Sequence, residues 1–382
     1  MTQRVHLIAA ARPNFMKVAP LWHALKAAPD FEPVLIHTGQ HYDPNMSDAI
    51  FADLRLPAPD HHLGVGSGSH AEQTGGVMIA YEKIAQADRP DWLVVVGDVN
   101  STAACAMVAA KLHIGCVHLE AGLRSRDRAM PEEINRLVTD ALADVLWTPS
   151  PDGDDNLRAE GVAEERITRV GNIMLDSFEL VRPAIEAANV AGELGLTRGG
   201  YGVVTLHRPS NVDDPAQLAR LAEALVGVQR RLPLVFPVHP RTAQRLDASG
   251  LRARLLDAGL KLVEPASYVR FMGLVTGAAV AITDSGGIQE ETTYLGIPCL
   301  TLRENTERPI TISEGTNRLV RAETLSRECD IALAAPKHER RRPDLWDGRT
   351  AARCVADLRT RSARHPSEGW GLGTEKRSAL AA

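Results

Sequence analysis

Residues 284–291 read Asp-Ser-Gly-Gly-Ile-Gln-Glu-Glu and directly follow an apolar run at residues 278–282. This order predicts a strand, a tight glycine turn and the first turn of a helix. Such a turn brings unpaired backbone N–H groups and the positive end of a helix dipole together, so it is suited to bind a phosphate. A turn that needs glycine only for its backbone angles is the structural alternative. Glu290 and Glu291, one turn further on, are placed to reach a sugar hydroxyl.

Three carboxylates in the first half of the chain could move a proton. Asp98 and Glu120 each follow an apolar run, and Glu132 lies in the first turn of a predicted helix that begins at Pro131. A surface ion pair between Glu132 and Arg136 is the structural alternative, because the two residues are four positions apart. Like charges in a partly buried site raise one another's pKa values, so at least one of the three could act as an acid or a base.

Basic and imidazole groups also follow predicted strands. Arg12 and Lys17 flank the start of the first helix, where Arg12 either pairs with a phosphate or stays solvated. His207 and His239 follow two strands of the second half, each beside an arginine, and this pair fits a diphosphate. His41 lies in a polar loop, where it contacts a ligand or closes the loop.

The sequence has no signature of a metal or dinucleotide cofactor. No group of His, Cys, Asp and Glu has the spacing of a zinc site. The first predicted strand is followed by Ala-Ala-Arg-Pro rather than by G-x-G-x-x-G, the usual signature of bound NAD. We therefore expect neither a metal nor NAD.

The elements that must position these residues alternate between short β-branched runs and longer amphipathic segments. The short runs are nearly all apolar, as in parallel strands covered on both faces, so we predict an α/β fold built from βαβ units. The predicted strands cover 5–9, 33–37, 92–97, 116–119 and 167–170, then 202–206, 234–238, 261–263, 278–282 and 298–301. The predicted helices cover 16–27, 71–87, 102–112, 132–143, 215–231, 242–258, 269–276 and 288–295.

The length of 382 residues predicts two domains, because it exceeds what one hydrophobic core usually serves. We assign residues 1–174 to an N-terminal Rossmann-like domain and 201–335 to a C-terminal one, joined by a helical linker and hinge at 175–200. Residues 336–361 are predicted to form a helix that packs on the first domain, and 362–382 a disordered tail.

Composition limits the class of protein. Apolar residues make up 44% and charged residues 24%, as in an ordinary soluble protein, and the net charge of −5 argues against a general nucleic-acid binder. The five cysteines are scattered and form no C-x-x-C, so we expect buried free thiols. We find neither a signal peptide nor an apolar run near the ~20 residues of a membrane span. We therefore predict a cytoplasmic protein without nucleic-acid or membrane partners.

The chain resembles the UDP-N-acetylglucosamine 2-epimerases, and within them the non-hydrolysing bacterial branch. The resemblance implies two Rossmann-like domains in a GT-B arrangement with an interdomain active-site cleft. It also implies a UDP-sugar substrate, a homodimer, and no NAD or metal. It rests on nine motifs in the family's order: A-R-P-N-F-M-K, T-G-Q-H, G-D-V-N, E-A-G-L-R, P-E-E-I-N-R, H-R-P, P-V-H-P, D-S-G-G-I-Q-E-E and T-E-R-P-I.

Matching motifs imply roles for single residues. Asp98, Glu120 and Glu132 correspond to the family's catalytic carboxylates, and His207 to a histidine near the diphosphate, which we count as catalytic. Glu291 would contact the ribose. Phe271 would lie next to the uracil. The predicted substrate-binding residues are Arg12, Lys17, His41, Arg136, His239, Phe271, Ser285, Gly286, Gly287, Glu291 and Arg308.

The chain departs from the family pattern in three places. Ala10 stands where the family usually has glycine, which tightens the first loop. The stretch from Glu120 to Glu132 is short, which affects the reach of Glu132. Residues 41–46 lack the polar pattern of members that their own substrate activates, so we do not expect such activation here.

The resemblance implies a reaction that interconverts UDP-N-acetylglucosamine and UDP-N-acetylmannosamine, for cell-surface polysaccharide precursors. UDP would leave to give a 2-acetamidoglucal and then add back, with the proton delivered to the opposite face. Two alternatives remain among epimerases: a hydrolysing enzyme that releases N-acetylmannosamine, and an enzyme for a modified UDP-sugar such as a 2,3-diacetamido uronic acid. A GT-B glycosyltransferase would require an acceptor, whereas a sensor without turnover would not require three carboxylates.

Overall fold

A computed structural model describes residues 2–10, 12–39, 51, 53–335 and 342–364, without the side chains of Arg12, Pro13 and Arg364. The chain divides into two compact units. Unit 1 comprises the described residues within Met1–Ser177 and Asp347–Ala382, and unit 2 comprises those within Phe178–Trp346.

Unit 1 contains a parallel sheet with the strand order β3-β2-β1-β4-β5-β6-β7. Its inner strands are buried along almost their whole length, as expected for a parallel sheet covered on both faces. The sequence prediction omitted β3 and β6, because runs of two and four residues carry too little periodicity to be recognised. The strands are β1 (Gln3–Ala9), β2 (Phe31–His37), β3 (His61–His62), β4 (Trp92–Val96), β5 (Gly115–Leu119), β6 (Val145–Thr148) and β7 (Ile167–Arg169).

Helices connect these strands. Their bounds agree with the predicted ones to within a few residues, except that the prediction omitted the helix after β6. The helices are α1 (Arg12–Lys26), α2 (His70–Ala87), α3 (Asn100–Leu112), α4 (Pro131–Leu142), α5 (Pro151–Ala159) and α6 (Ile173–Ala187), the last of which begins in unit 1 and ends in unit 2.

Unit 2 repeats this architecture with the strand order β10-β9-β8-β11-β12-β13, again all parallel. Its core packs Val204, Phe236, Ile282 and Leu300, one from each of four neighbouring strands, between the surrounding helices. The strands are β8 (Gly202–Thr205), β9 (Leu234–Pro237), β10 (Lys261–Val263), β11 (Val280–Thr283), β12 (Cys299–Thr301) and β13 (Asn317–Leu319), of which the prediction omitted β13.

One predicted helix of unit 2 is wrong. Residues 242–258 form two helices rather than one, because Gly250 between them has a φ of +69° and ends the first helix in the left-handed region. The helices are α7 (Val190–Glu193), α8 (Pro209–Val212), α9 (Pro215–Gln229), α10 (Pro240–Ala248), α11 (Leu251–Asp257), α12 (Tyr268–Gly277), α13 (Gly286–Leu295), α14 (Ile310–Ser313) and α15 (Leu325–Ala334).

The last described helix, α16 (Thr350–Arg364), belongs to unit 1. The backbone N–H groups of Thr350 and Ala351 donate to the carboxylate of Asp176 at 3.0 and 2.8 Å, which satisfies the amino end of the helix. Further along, the Trp147 indole donates to Asp357 at 2.7 Å. Residues 336–341 and the predicted tail from residue 365 onward lie outside the described residues.

In each sheet the strand order reverses once, between β1 and β4 in unit 1 and between β8 and β11 in unit 2. Open α/β sheets bind ligands beyond the carboxyl ends of their strands at such a point. The register pairs Val96 with Leu119 and Thr205 with Thr283, so the residues after these pairs emerge at the same edge. This places the glycine turn and His207 at one edge of unit 2, and Asp98 and Glu120 at one edge of unit 1.

In the part of the chain that the structure describes, no helix is long and apolar enough to cross a membrane. All five cysteines are free and buried, as predicted from their scattered positions.

Candidate active site

In unit 1, the carboxylate of Glu120 lies over Gly97, directly beside the Asp98 backbone. A Cβ on Gly97 would lie 3.3 Å from both Glu120 Oε2 and Lys17 Nζ, which form an ion pair with each other. Asn14 closes the same patch, since its side chain donates to the Val96 carbonyl at 2.9 Å. The structure therefore brings Asp98, Glu120 and Lys17 together, as the strand-end argument predicted.

Glu120 has an unusual backbone. Its φ is +75°, a left-handed conformation that costs a residue with a side chain roughly 1–2 kcal/mol. Hydrogen bonds hold it there, because the N–H groups of Glu120 and Ala121 both donate to the Trp147 carbonyl, at 3.0 and 3.1 Å. Strain of this kind is often found at functional sites, where the surrounding structure enforces it. It turns the Glu120 side chain toward Lys17 at the sheet edge.

Asp98 is held from α4. Arg136 pairs with Asp98 and also with Glu133 at 2.9 Å, while Asn135 donates to the Asp98 carbonyl at 2.9 Å. The guanidinium of Arg136 thus contacts Asp98 and Glu133 in place of the surface pair with Glu132 that we considered, and Glu132 is exposed. Arg136 therefore bridges the carboxylates of Asp98, which follows β4, and Glu133, which is buried on α4.

The sequence analysis missed Glu133. Its buried carboxylate accepts backbone N–H groups of Ser125 and Arg126 at 2.8 and 2.9 Å and so fixes the loop before α4. Burial acts to raise the pKa of Glu133, but these hydrogen bonds and Arg136 lower it overall. The P-E-E motif marked the position without showing which of its two glutamates faces inward.

That Asp98, Glu120 and Glu132 converge on one site stays a prediction, and the structure adds a cation beside two of them. Each of them pairs with a cation, Arg136 or Lys17, because a buried charge is stable only with a partner. Glu132 lies at the exposed start of α4. The patch therefore offers two carboxylates that each lie beside a cation.

In unit 2, Asp284 ties the glycine turn to the loop after β8. Its fully buried carboxylate accepts the N–H groups of His207 and Arg208 at 3.0 and 2.9 Å and the Asn211 side chain at 3.1 Å. Burial acts to raise the pKa of Asp284, but the hydrogen bond and charge of His207, followed by the other donors, lower it overall. Asp284 thus stays charged and positions His207, whose Nδ1 lies 3.1 Å from it.

The two histidines of unit 2 lie together, as their equivalent places after β8 and β9 predicted. The ring centroids of His207 and His239 are 5.9 Å apart. His239 also begins α10, where its Nδ1 accepts the Arg241 N–H at 3.3 Å. His207 is partly exposed at the edge and can contact a ligand there.

The glycine turn starts α13 with Ser285 as the N-cap residue. Ser285 makes no side-chain hydrogen bond to the helix, so the N–H groups of the first turn stay available for an anion. Gly286 does not have a positive φ, so the structural alternative of glycine for its backbone angles does not apply. A Cβ there would instead lie 2.7 Å from Arg308 Nη1, whereas Gly287 has no atom within 4 Å of its Cβ position.

Arginines crowd around this turn. Arg308 Nη1 and Arg303 Nη2 each donate to Glu307 at 2.8 Å, and Arg308 also pairs with Glu290 at 2.8 Å. Burial acts to raise the pKa of Glu307, but Arg308 and Arg303 lower it far more strongly. Burial and the neighbouring Arg303 lower the pKa of Arg208. Additional negative charge beside these arginines would stabilise them, which suits a diphosphate.

Arg303 is a second residue that the sequence analysis missed. It is buried, and its Nη1 has no hydrogen-bond partner among the described residues. Its place four residues before Glu307, on one polar loop, was the available signal. Glu290 also differs from the prediction, since its carboxylate faces Arg308 rather than standing ready for a sugar hydroxyl.

Glu291, the residue after Glu290 on α13, contacts α12. Tyr268 OH donates to Glu291 Oε1 at 2.6 Å. Burial raises the pKa of Glu291 to about 8, helped by Glu290 and opposed by the Tyr268 hydrogen bond. Phe271 lies one turn after Tyr268 on α12 and is half-buried. Tyr268 was not predicted.

Two predicted residues cannot be placed. His41 lies outside the described residues, and Arg12 begins α1 but its side chain is not described. Among the residues that are described, no group of three or more His, Cys, Asp or Glu side chains could hold a metal ion.

These features define a class of protein: a two-unit α/β protein with Rossmann-like parallel sheets, as predicted. It has an arginine-lined glycine turn at the edge of one sheet and cation-paired carboxylates at the edge of the other. A family model described as UDP-N-acetylglucosamine 2-epimerase matches residues 23–359. The chain therefore belongs to the UDP-N-acetylglucosamine 2-epimerase family and is an isomerase, which confirms the resemblance drawn from the motifs.

Three known proteins illustrate the similarity. A UDP-N-acetylglucosamine 2-epimerase homolog of Methanococcus maripaludis is 38% identical over 359 residues, 93% of this chain and 99% of the relative. A UDP-2,3-diacetamido-2,3-dideoxy-D-glucuronate 2-epimerase of Pseudomonas aeruginosa is 36% identical over 323 residues, 84% and 88% of the two chains. The crystal structure of Methanocaldococcus jannaschii UDP-GlcNAc 2-epimerase in complex with UDP-GlcNAc and UDP has a TM-score of 0.83 and 38% identity, covering 94% and 99%.

Proposed function

We propose that this protein interconverts UDP-N-acetylglucosamine and UDP-N-acetylmannosamine without releasing the free sugar. The observation that carries the proposal is the pair of edge sites: Asp98 and Glu120 beside cations in unit 1, and the arginine-lined glycine turn in unit 2. The first site suits proton transfer and the second suits a leaving diphosphate. The reaction requires both sets of residues to act on one substrate molecule.

Unit 2 would hold UDP. The N–H groups of the turn at Ser285–Gly287 and the guanidinium of Arg308 would bind the diphosphate, with His207 beside it. Glu291 would accept hydrogen bonds from the ribose hydroxyls, and Phe271 would lie against the uracil. The M. jannaschii relative was crystallised with UDP-GlcNAc and UDP, which supports a ligand of this class.

Breaking the C1–O bond would make the C2 proton removable. That hydrogen is not next to a carbonyl, so its direct removal would be very slow. If UDP departs in step, positive charge develops at C1 and a carboxylate can take the C2 proton, leaving a 2-acetamidoglucal. Return of UDP with protonation of the opposite face completes the inversion.

Asp98 and Glu120, with Glu132, would move these protons. Proton transfer by a positioned side chain typically contributes about 10²–10⁴ in rate. Lys17 beside Glu120 and Arg136 beside Asp98 would position the two carboxylates for this transfer. The turn and arginines of unit 2 would stabilise the departing diphosphate electrostatically.

A second candidate substrate is a modified UDP-sugar. The P. aeruginosa relative, 36% identical over most of the chain, is named for a 2,3-diacetamido glucuronate. The same carboxylates would epimerise C2 of such a sugar, because the reacting atoms are unchanged. Substrate choice would then depend on the groups that face C3 and C6.

NMR of the purified protein in D₂O tests the proposal directly. Incubation with UDP-N-acetylglucosamine should give UDP-N-acetylmannosamine with deuterium at C2, and no free UDP should accumulate. Product without deuterium would exclude the elimination route, and steady release of UDP and free N-acetylmannosamine would identify a hydrolysing enzyme. A parallel sample with the diacetamido uronic acid substrate decides between the two sugars by relative kcat/KM.

We further propose that the protein works as a cytoplasmic homodimer that supplies precursors of cell-surface polysaccharides. Five free, buried thiols support a reducing compartment. Light scattering coupled to size-exclusion chromatography measures the oligomeric state, and a monomer at micromolar concentration would refute this part.

A further inference from the structure

A buried histidine lies under the two turns that carry Asp98 and Glu120. His118, in the middle of β5, is fully buried. Its Nε2 lies 2.8 Å from the Gly97 carbonyl oxygen, and its Nδ1 lies 2.6 Å from Asp140 Oδ1. The side chain therefore connects the backbone just before Asp98 to a carboxylate on α4.

Both partners of the His118 ring are acceptors. A backbone carbonyl can only accept, and an ionised carboxylate can only accept. The other oxygen of Asp140 accepts the Gly122 N–H at 3.0 Å and pairs with Arg124 at 2.7 Å, as expected of a charged group. Both ring nitrogens of His118 must then carry hydrogen, which makes the ring an imidazolium.

The charges around His118 balance. Asp140 lies between His118 and Arg124, and Arg124 also forms a two-pronged pair with Glu160 at 2.8 and 2.6 Å. Two cations thus face two carboxylates, which a buried ion cluster requires. Burial acts to raise the pKa of Asp140, but the charges of His118 and Arg124 lower it overall.

The turns that this cluster contacts are conformationally demanding. Gly97, Glu120 and Gly122 have φ values of +70°, +75° and +80°. Gly122 has no room for a side chain, since a Cβ would collide with the backbone of Gly153. His118 contacts the carbonyl oxygen of Gly97, and Asp140 accepts the N–H of Gly122.

We propose that His118, with hydrogen on both ring nitrogens, and Asp140 are positioning residues that hold the Asp98 and Glu120 turns in their working geometry. This role rests on the proposed function of those two carboxylates, whereas the charged state of the ring does not. Neither His118 nor Asp140 touches the substrate. They act through the backbone at Gly97 and Gly122.

The charged state is tested without any substrate. Long-range ¹H–¹⁵N spectra of the ¹⁵N-labelled protein at pH 7 to 8, with His118→Gln to assign the signals, should show hydrogen on both His118 nitrogens. His6 is an internal control, because burial lowers its pKa to about 4 and its ring should be neutral. A nitrogen without hydrogen on His118 overturns the proposal. In Asp140→Asn, which keeps the shape but removes the charge, His118 should become neutral.

The positioning role is tested by hydrogen exchange and kinetics. In Asp140→Asn and His118→Gln, amides in residues 96–100 and 119–123 should exchange about tenfold or more faster, while those of residues 5–9 stay unchanged. kcat should fall about tenfold or more, with the UDP dissociation constant within about threefold of the parent value. His6→Gln, a matched loss of a buried histidine in the same sheet, should leave kcat unchanged.

The outcomes separate the two proposals. Unchanged exchange in both segments, or a normal kcat in Asp140→Asn, refutes the positioning role. If His118→Gln unfolds, Asp140→Asn decides by the same measurements. If the parent protein does not epimerise any UDP-sugar, the proposed function fails, while the spectra and the exchange rates still decide the role of the cluster.

Discussion

Replacing Gly286 by alanine tests the anion site at the start of α13. The added Cβ would lie 2.7 Å from Arg308 Nη1, closer than real Cβ atoms approach, and 3.1 Å from its Cζ. Arg308 can move aside only by disturbing its 2.8 Å contacts with Glu290 and Glu307. We therefore expect the alanine to displace the guanidinium from its place beside the turn.

The displacement should weaken UDP binding by about 10- to 100-fold. A hydrogen bond to a charged group is worth about 1.5–3 kcal/mol, and each 1.4 kcal/mol is a factor of ten. Pyrophosphate should lose affinity by the same factor, because the lost contact is with the diphosphate. The helix itself should not suffer, since alanine is the better helix former by about 1 kcal/mol.

Calorimetric titration of Gly286→Ala with UDP and with pyrophosphate measures this loss, and thermal unfolding confirms that the fold is kept. Gly287→Ala is the matched variant, because no atom of the described residues lies within 4 Å of its Cβ position. A loss of affinity at Gly287 without a loss of stability would therefore report direct approach of the phosphate. If Gly286→Ala binds both ligands like the parent protein, the nucleotide lies elsewhere and the turn is only part of the fold.

Other substitutions separate the remaining roles. Asp98→Asn, Glu120→Gln and Glu132→Gln should each lower kcat about 10²-fold with UDP affinity largely kept, and near-normal turnover by any one would remove it from proton transfer. Ser285→Ala should cost about 1 kcal/mol of UDP binding, less than Gly286→Ala. Glu291→Ala should weaken UDP but hardly pyrophosphate; equal losses would contradict a ribose contact. The pKa of Glu291 is about 8 in the folded state and 4.5 in the unfolded state, so between these pH values the folded state binds one more proton. The free energy of unfolding should therefore fall as pH rises through this window, by up to about 1.4 kcal/mol per pH unit. Between pH 5 and 9, the melting temperature of Glu291→Gln should fall less than that of the parent protein. An equal fall in both proteins would refute the raised pKa of Glu291.

Local patterns in the sequence were sufficient to predict most elements and the positions of the reactive groups. The apolar runs before Asp98, Glu120 and Asp284 are strands, and the residues after them emerge at sheet edges, because a parallel sheet places all its carboxyl ends on one side. Elements of two to four residues, such as β3, β6 and β13, were missed because they are too short to show a hydrophobic pattern.

The partners of these groups come from distant parts of the chain. Lys17 pairs with Glu120 across 103 residues, and Tyr268 donates to Glu291 across 23. Neither pair has a local signature, since no spacing along the chain links either residue to its partner. Which of Glu132 and Glu133 turns inward likewise depends on the rotation of α4 against its neighbours.

The sequence by itself determined the alternation of strands and helices, the glycine turn and the places of Asp98, Glu120 and Asp284 after strands, because hydrophobic period and turn chemistry act over a few neighbouring residues. Only the tertiary structure decided the charge environment of those carboxylates. In the folded sheet, Asp98 pairs with Arg136 and Glu120 pairs with Lys17, and His118 pairs with Asp140 of α4. Electrostatic interactions depend on distances through space, and these distances are fixed only when segments far apart in sequence pack together.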